Sequence, residues 1–184
     1  MDVTAVILSP RRVIRRIADV ETLVHVSRFS DAAGLLDERL AALQKVKTEW
    51  FFYLDDDDTL PPNYRDVLTR CMAVDTPLAY TNERINDTLR LSGPYTQEAH
   101  LKNPLLVHHL AVCRTEAAQK AARVIPRGTF AVEPLLFFQV AKQGATWIND
   151  VGYVWNRKPT GLSWHPTLTR GLVLALLWAK ANRV

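Results

Sequence analysis

The stretch from Phe51 to Pro62 does most to limit what this chain can fold into. Phe51-Phe52-Tyr53-Leu54 runs straight into Asp55-Asp56-Asp57-Asp58, and Thr59-Leu60-Pro61-Pro62 follows. Four apolar residues ahead of two prolines read as a buried strand with a breaker behind it. Such a strand delivers its aspartates to the carboxyl edge of a sheet, the edge where open α/β folds bind ligands. Four carboxylates in a row repel one another unless a positive charge sits among them. A divalent cation carrying a phosphorylated ligand meets that need, because hard cations take oxygen ligands.

The chain around this stretch alternates. Val3 to Leu8 is a β-branched apolar run ended by Ser9-Pro10, which suits a first buried strand. Arg11, Arg12, Arg15 and Arg16 follow with Val13, Ile14 and Ile17 between them, the spacing of a short helix with a basic face. A second strand is expected over 23–27. Leu36, Leu40, Leu43 and Val46 then recur at helical spacing within 31–47. After the acidic-tipped strand come a helix over 63–74 and a strand over 78–81. Strand and helix in this alternation predict an α/β domain on a mostly parallel sheet flanked by helices.

The rhythm changes after Asn82. A small hairpin turning at Asn86-Asp87 is expected over 84–91, and a strand over 105–113 that would point His108 and His109 to opposite faces. Thr115 reads as the N-cap of a helix over 116–124. A helix over 130–143 is capped by Gly144. Short strands near 146–148 and 151–155 and a terminal amphipathic helix over 166–181 complete the prediction. Small antiparallel additions to the sheet are expected in this C-terminal half.

Length and composition fit one domain. The 184 residues are 48% hydrophobic and 23% charged with a formal net charge of +4, ordinary globular values that permit a polyanionic partner without demanding one. Cys71 and Cys113 stand apart with no CxxC, and Met1-Asp2-Val3-Thr4 lacks the order of a secretory signal, so a reduced, cytoplasmic setting is expected. The longest apolar run, over 171–179, is too short to cross a bilayer.

Three chemistries compete for the aspartates. A helix–loop–helix calcium site would use Asp55, Asp57, Thr59 and Asp66, but its obligatory glycine is Leu60 here and a strand precedes the loop, which excludes it. The phosphatase signature D-x-D-x-T-L of the haloacid dehalogenases matches Asp55, Asp57, Thr59 and Leu60, with Asp55 as nucleophile and Asp57 as general acid/base. Against it, two strand–helix units precede the motif, and Asn149-Asp150 is a poor substitute for the family's later acidic pair.

The third is the D-x-D motif of nucleotide-sugar transfer. Leu54-Asp55-Asp56-Asp57-Asp58-Thr59-Leu60-Pro61, together with the preceding helix and Thr48-Glu49-Trp50, resembles family-two-like glycosyltransferases of the GT-A fold. The resemblance covers roughly 3–165 and is strongest over 35–68. It implies a single GT-A, Rossmann-like domain over 1–184, with a nucleotide-binding half over 1–81, an acceptor-side half over 82–165 and a C-terminal helix over 166–184.

The resemblance also implies roles. Mn²⁺ or Mg²⁺ would be held by Asp57 with Asp55 and His165, and would neutralise the diphosphate that builds up as the glycosidic bond breaks. Pro10, Arg11, Asp31, Asp55, Asp56 and Arg157 would contact the donor, although Asp56 is expected to point away from the metal. Asp58, His109 and Lys158 are helpers. Gly128-Thr129-Phe130-Ala131-Val132-Glu133-Pro134 stands where the family has a Glu-Asp pair opening a helix. Proline is accepted in a first helical turn, which leaves Glu133 as the single catalytic base. The donor is a nucleotide sugar; a glycan, a protein and a polyanion such as modified DNA stay open as acceptors. The phosphatase, and a non-catalytic nucleic-acid-binding domain using Arg11 to Arg16, stand as the rival readings.

Overall fold

The computed structural model describes residues 1–9, 16–26, 32–125, 132–157 and 181. Pro10, Arg11, Asp31, Lys158 and His165 lie outside them, as do most of the basic helix and most of the terminal helix. The chain runs β1 (Val3–Leu8), β2 (Glu21–His25), α1 (Ala32–Leu43), β3 (Trp50–Asp55), α2 (Tyr64–Met72), β4 (Leu78–Ile85), β5 (Thr88–Arg90), α3 (Gln97–Lys102), β6 (Ala111–Arg114), α4 (Thr115–Ala122), α5 (Val132–Ala141) and β7 (Thr146–Trp155).

One seven-stranded sheet orders as β2-β1-β3-β6-β4-β5, with β7 also on β4. β1 pairs parallel with β2 and β3, and β7 parallel with β4, whereas β6 is antiparallel to both β3 and β4. Strands β1, β2, β3, β4 and β7 therefore point one way, and β6 and β5 the other. This is the mixed, mostly parallel α/β architecture expected.

The apolar run of β3 alternates between two cores. Phe51 and Tyr53 pack on one face with residues of α1, α4 and α5; Trp50, Phe52 and Leu54 pack on the other with Val67, Leu68 and Cys71 of α2. A strand buried on both faces has no need of polar alternation, which is why the run is continuous. The parallel register sets Asp55 level with Leu8 at the end of β1. The acidic run thus begins where the sheet stops.

Several elements differ from expectation. The strand expected over 105–113 shortens to β6. Asn103 accepts from Leu105 N through its side chain (3.1 Å) and from Leu106 N through its carbonyl (2.9 Å), turning the chain aside before it can pair. His108 and His109 consequently leave the strand, and their ring centroids lie 3.9 Å apart instead of on opposite faces. The two short strands near Asn149-Asp150 are one strand, β7, whose register against β4 shifts beside Asn82 to absorb the extra residues. Thr115 is the first residue of α4 and not its cap: its N–H goes to Glu49 O (2.9 Å), and Arg114 takes the cap position. The hairpin at Asn86-Asp87 forms between β4 and β5. Gly144, at φ 117°, follows α5 and donates its N–H to Ala141 O (3.0 Å), where a side chain would be strained.

Candidate active site

The four aspartates take four different environments. Asp55 closes β3, and one of its oxygens accepts from Arg39 Nη2. Asp56 accepts from Ser9 Oγ at the end of β1 (3.0 Å). Asp57 is exposed, and its carbonyl accepts from Asn156 Nδ2 (2.8 Å). Asp58 is buried, with Oδ2 accepting from the Tyr153 hydroxyl and Oδ1 from Asn156 N, both at 2.8 Å. Thr59 and Val154 exchange backbone hydrogen bonds (3.1 and 2.9 Å), which sews the acidic turn to β7.

Tyr153 ties this arrangement together. Its hydroxyl accepts from Asp55 N (3.1 Å) while donating to Asp58. Burial, then the charges of Asp55 and Asp58, push this phenol well above its ordinary range, so it stays a protonated donor. Burial, followed by the neighbouring Asp55 charge, raises the Asp58 carboxyl to about 7. An acid held there in a crowd of like charges is poised to lose its proton to an arriving cation.

Arg39 supplies the positive charge that the sequence demanded. It is 4% exposed on α1 and gives Nη2 to Asp55 and Nη1 to Glu133 in the first turn of α5. Its own carbonyl accepts from Tyr53 OH (3.1 Å), and its guanidinium lies 5.5 Å from the Tyr53 ring. A planar fork suits this bridging of two carboxylates better than an ammonium. The sequence reading passed over Arg39, yet a signal was present. It stands three and four residues before Ala42 and Leu43, both fully buried, so helical spacing puts an arginine on an apolar stripe.

His109 closes the cluster from the loop before β6. It is 9% exposed and stacks on Tyr153 at 4.4 Å and 16°. Burial, then the positive charges of His108, Arg39 and Arg90, holds it well below the usual imidazole range, so the ring is neutral and able to ligate. One ligand atom each from Asp55, Asp58 and His109 lies within 4.8 Å of the others. Two carboxylates and a neutral imidazole at that spacing fit a divalent ion.

Of the residues singled out in the sequence, the structure thus brings Asp55, Asp58, His109 and, through Arg39, Glu133 into one place. Asp57 sits beside them facing solvent. Arg157 is half-buried with its guanidinium 5.3 Å from the Trp155 ring. Tyr153 and Asn156, from the segment that leads into Arg157, and Ser9, beside Pro10, join the cluster by their own side chains, and Arg39 enters it from α1.

No protein-family model matches the sequence, and no curated protein sequence matches it. The fold does have solved counterparts. S. aureus TarS 1-349 in complex with UDP-GlcNAc superposes with a TM-score of 0.69 at 12% identity, covering 99% of this chain and 67% of that one. Glucosyl-3-phosphoglycerate synthase from Mycobacterium tuberculosis, in complex with phosphoglyceric acid, gives 0.53 at 12% identity, covering 96% and 79%. Mannosyl-3-phosphoglycerate synthase from Rubrobacter xylanophilus gives 0.50 at 17%, covering 98% and 73%. In another TarS 1-349 structure the chain spans 66% of the length. These neighbours are GT-A-type nucleotide-sugar glycosyltransferases, and the fold of this chain is theirs. No helix among the described residues is long and apolar enough to cross a membrane.

Proposed function

We propose that this protein is a metal-dependent glycosyltransferase that moves a sugar from a nucleotide-diphosphate donor to an acceptor hydroxyl. The observation that carries it is the convergence of Asp55, Asp58 and His109 at the carboxyl end of β3, with Arg39 joining Asp55 to Glu133. The GT-A fold, and a neighbour bound to UDP-GlcNAc, support the donor class.

In this reading Asp55 and Asp58, with His109 and the exposed Asp57, hold Mn²⁺ or Mg²⁺. His165, which lies outside the described residues, is kept as a further ligand. The ion supplies Lewis acidity that neutralises the diphosphate leaving group. The protein's own groups do the rest. Arg39 holds the Asp55 carboxylate through one of its two oxygens. Tyr153 and Asn156 hold Asp58 by both oxygens and keep the turn rigid. Glu133 accepts the proton of the acceptor hydroxyl, its position set by the same guanidinium. Arg157 balances phosphate charge, and Asp56 braces the loop over β1 on the donor side. The acceptor is a glycan, a protein or a polyanion such as modified nucleic acid.

The test is incubation of the purified chain with Mn²⁺ and a panel of sugar nucleotides. Donor turnover, or a rise in melting temperature, that requires both metal and one particular nucleotide supports the reading. Asp57→Ala and Asp55→Ala should abolish it. Phosphate release from simple phosphomonoesters with a trapped aspartyl adduct at Asp55 sinks it in favour of a phosphatase. Metal-independent, salt-sensitive DNA binding without turnover sinks it in favour of a binding domain.

A further inference from the structure

Glu83 is a buried carboxylate with no role in the chemistry above. It lies on β4, 1% exposed, and both of its oxygens are engaged: Oε1 by Arg90 Nε (2.6 Å) and Oε2 by His108 Nδ1 (3.1 Å). Burying a carboxylate costs free energy even when it is paired, so its place needs a reason. What it fastens is the loop over 103–110. Arg90 also donates Nη1 to Leu105 O (2.8 Å), so one ion pair on the β4–β5 hairpin grips that loop at 105 and again at 108.

The next link is aromatic. The His108 ring lies 3.9 Å from His109, and His109 lies 4.4 Å from Tyr153, nearly parallel to it. Among the described residues no hydrogen bond holds the His109 ring. Its orientation comes from packing against three rings, tilted against His108, stacked on Tyr153 and edge-on to Trp155 (6.0 Å), and one of its ligand atoms falls within 4.8 Å of those of Asp55 and Asp58. A metal-bound histidine is ordinarily oriented by a hydrogen bond from its second nitrogen to a carboxylate. Here the carboxylate reaches the neighbouring histidine instead, and the tilted contact between the two imidazole rings (52°) passes the constraint along.

We propose that Glu83, acting through His108, is a positioning residue that aims His109 as a nitrogen ligand into the Asp55–Asp58 cluster. The proposal rests on the metal-dependent reading of that cluster. An imidazole beside two carboxylates makes the site a mixed nitrogen–oxygen one, and Mn²⁺ serves as its paramagnetic probe.

The experiment is Mn²⁺ titration of the full chain followed by electron paramagnetic resonance, with pulsed spectra to detect nitrogen bound to the metal. Wild type should show a nitrogen coupling that His109→Ala removes. Glu83→Gln and His108→Gln should each weaken Mn²⁺ binding about 10–100-fold, and the double variant should be no weaker than either alone. A purely structural role for Glu83 would lower the melting temperature and leave Mn²⁺ affinity in the folded fraction unchanged, which overturns the proposal. If Glu83→Gln fails to fold, His108→Gln decides alone, and wild-type affinity in it also overturns the proposal. Tight Mn²⁺ binding by wild type with no nitrogen coupling overturns it while sparing the metal-dependent reading. No Mn²⁺ binding by wild type overturns both.

Discussion

Arg39 on α1 and Glu133 in the first turn of α5, 94 positions apart in sequence, form a partly buried ion pair, and the same guanidinium reaches Asp55. Arg39→Ala would leave two carboxylates facing each other without their countercharge. Breaking a fully buried pair in this way costs about 3–5 kcal/mol; with both acids partly exposed the loss should fall below that range, and urea denaturation would read it directly. Arg39→Lys keeps the charge but not the fork, and should recover only part of that loss. Equal stability in all three proteins would mean that the bridge carries no load.

Asp58 gives a second prediction. Its folded-state pKa is raised to about 7 from an ordinary value of 3.8, chiefly by burial and then by Asp55. A group raised in the folded state stabilises the fold while protonated; that contribution is complete below about 4 and is lost as the pH rises through 7. Metal-free Asp58→Asn should therefore be more stable than wild type at pH 8, with the gap closing toward pH 4. The same variant should lose the Mn²⁺-dependent rise in melting temperature. Thermal melts with a chelator and with Mn²⁺ separate the two effects.

His100 predicts the opposite slope. It is 2% exposed, set edge-on to Tyr95 (5.7 Å) and tilted against Phe138 (5.6 Å), and burial lowers it to about 4 from 6.5. A group lowered in the folded state costs nothing above its unfolded value, and stability is lost as the pH falls from about 6.5 toward 4. His100→Phe keeps an aromatic ring between its neighbours and removes the titration. The wild type should lose ground to His100→Phe between pH 7.5 and pH 4.5. Parallel denaturation curves at those two values check it.

Gly152 on β7 lies hard against Thr81 of β4. A Cβ there would meet Thr81 Oγ1 at 2.5 Å and Thr81 Cγ2 at 2.9 Å. Gly152→Ala should destabilise the fold by about 1–3 kcal/mol, the usual cost of forcing extra volume into a packed site. Because Tyr153 follows directly, the substitution should also disturb Asp58 and weaken Mn²⁺ binding. Stability lost with Mn²⁺ affinity intact would show that β7 yields without moving Tyr153.

Much of this molecule was legible in its sequence, and the rest was hidden for definable reasons. The strand into Asp55, the α/β alternation and the turn at Asn86-Asp87 follow from local periodicity and turn chemistry. The division of labour among the aspartates does not. Their environments are set by Arg39, Tyr153 and Asn156, which arrive from distant elements. Asp58 looked like a helper because nothing local says that β7 will cover it. His108 and His109 were assigned to a strand because alternation cannot register a turn that begins five residues earlier, at Asn103. Arg39 was the readable omission, since a cation on the buried side of a helix asks for buried acids.

The pairing of Asp58 with Asn156 has a consequence for how the molecule is made. The two are 98 positions apart, and β7 is the last strand of the sheet in the chain. During synthesis the acidic turn leaves the ribosome before β7 and waits, solvated, for that strand to follow. Only when β7 slides alongside β4 does Asp58 gain Tyr153 and Asn156, and the turn acquire its final shape. A nascent chain can thus hold most of its sheet while Asp58 is still solvated, so the acidic turn is completed in a single step when β7 docks.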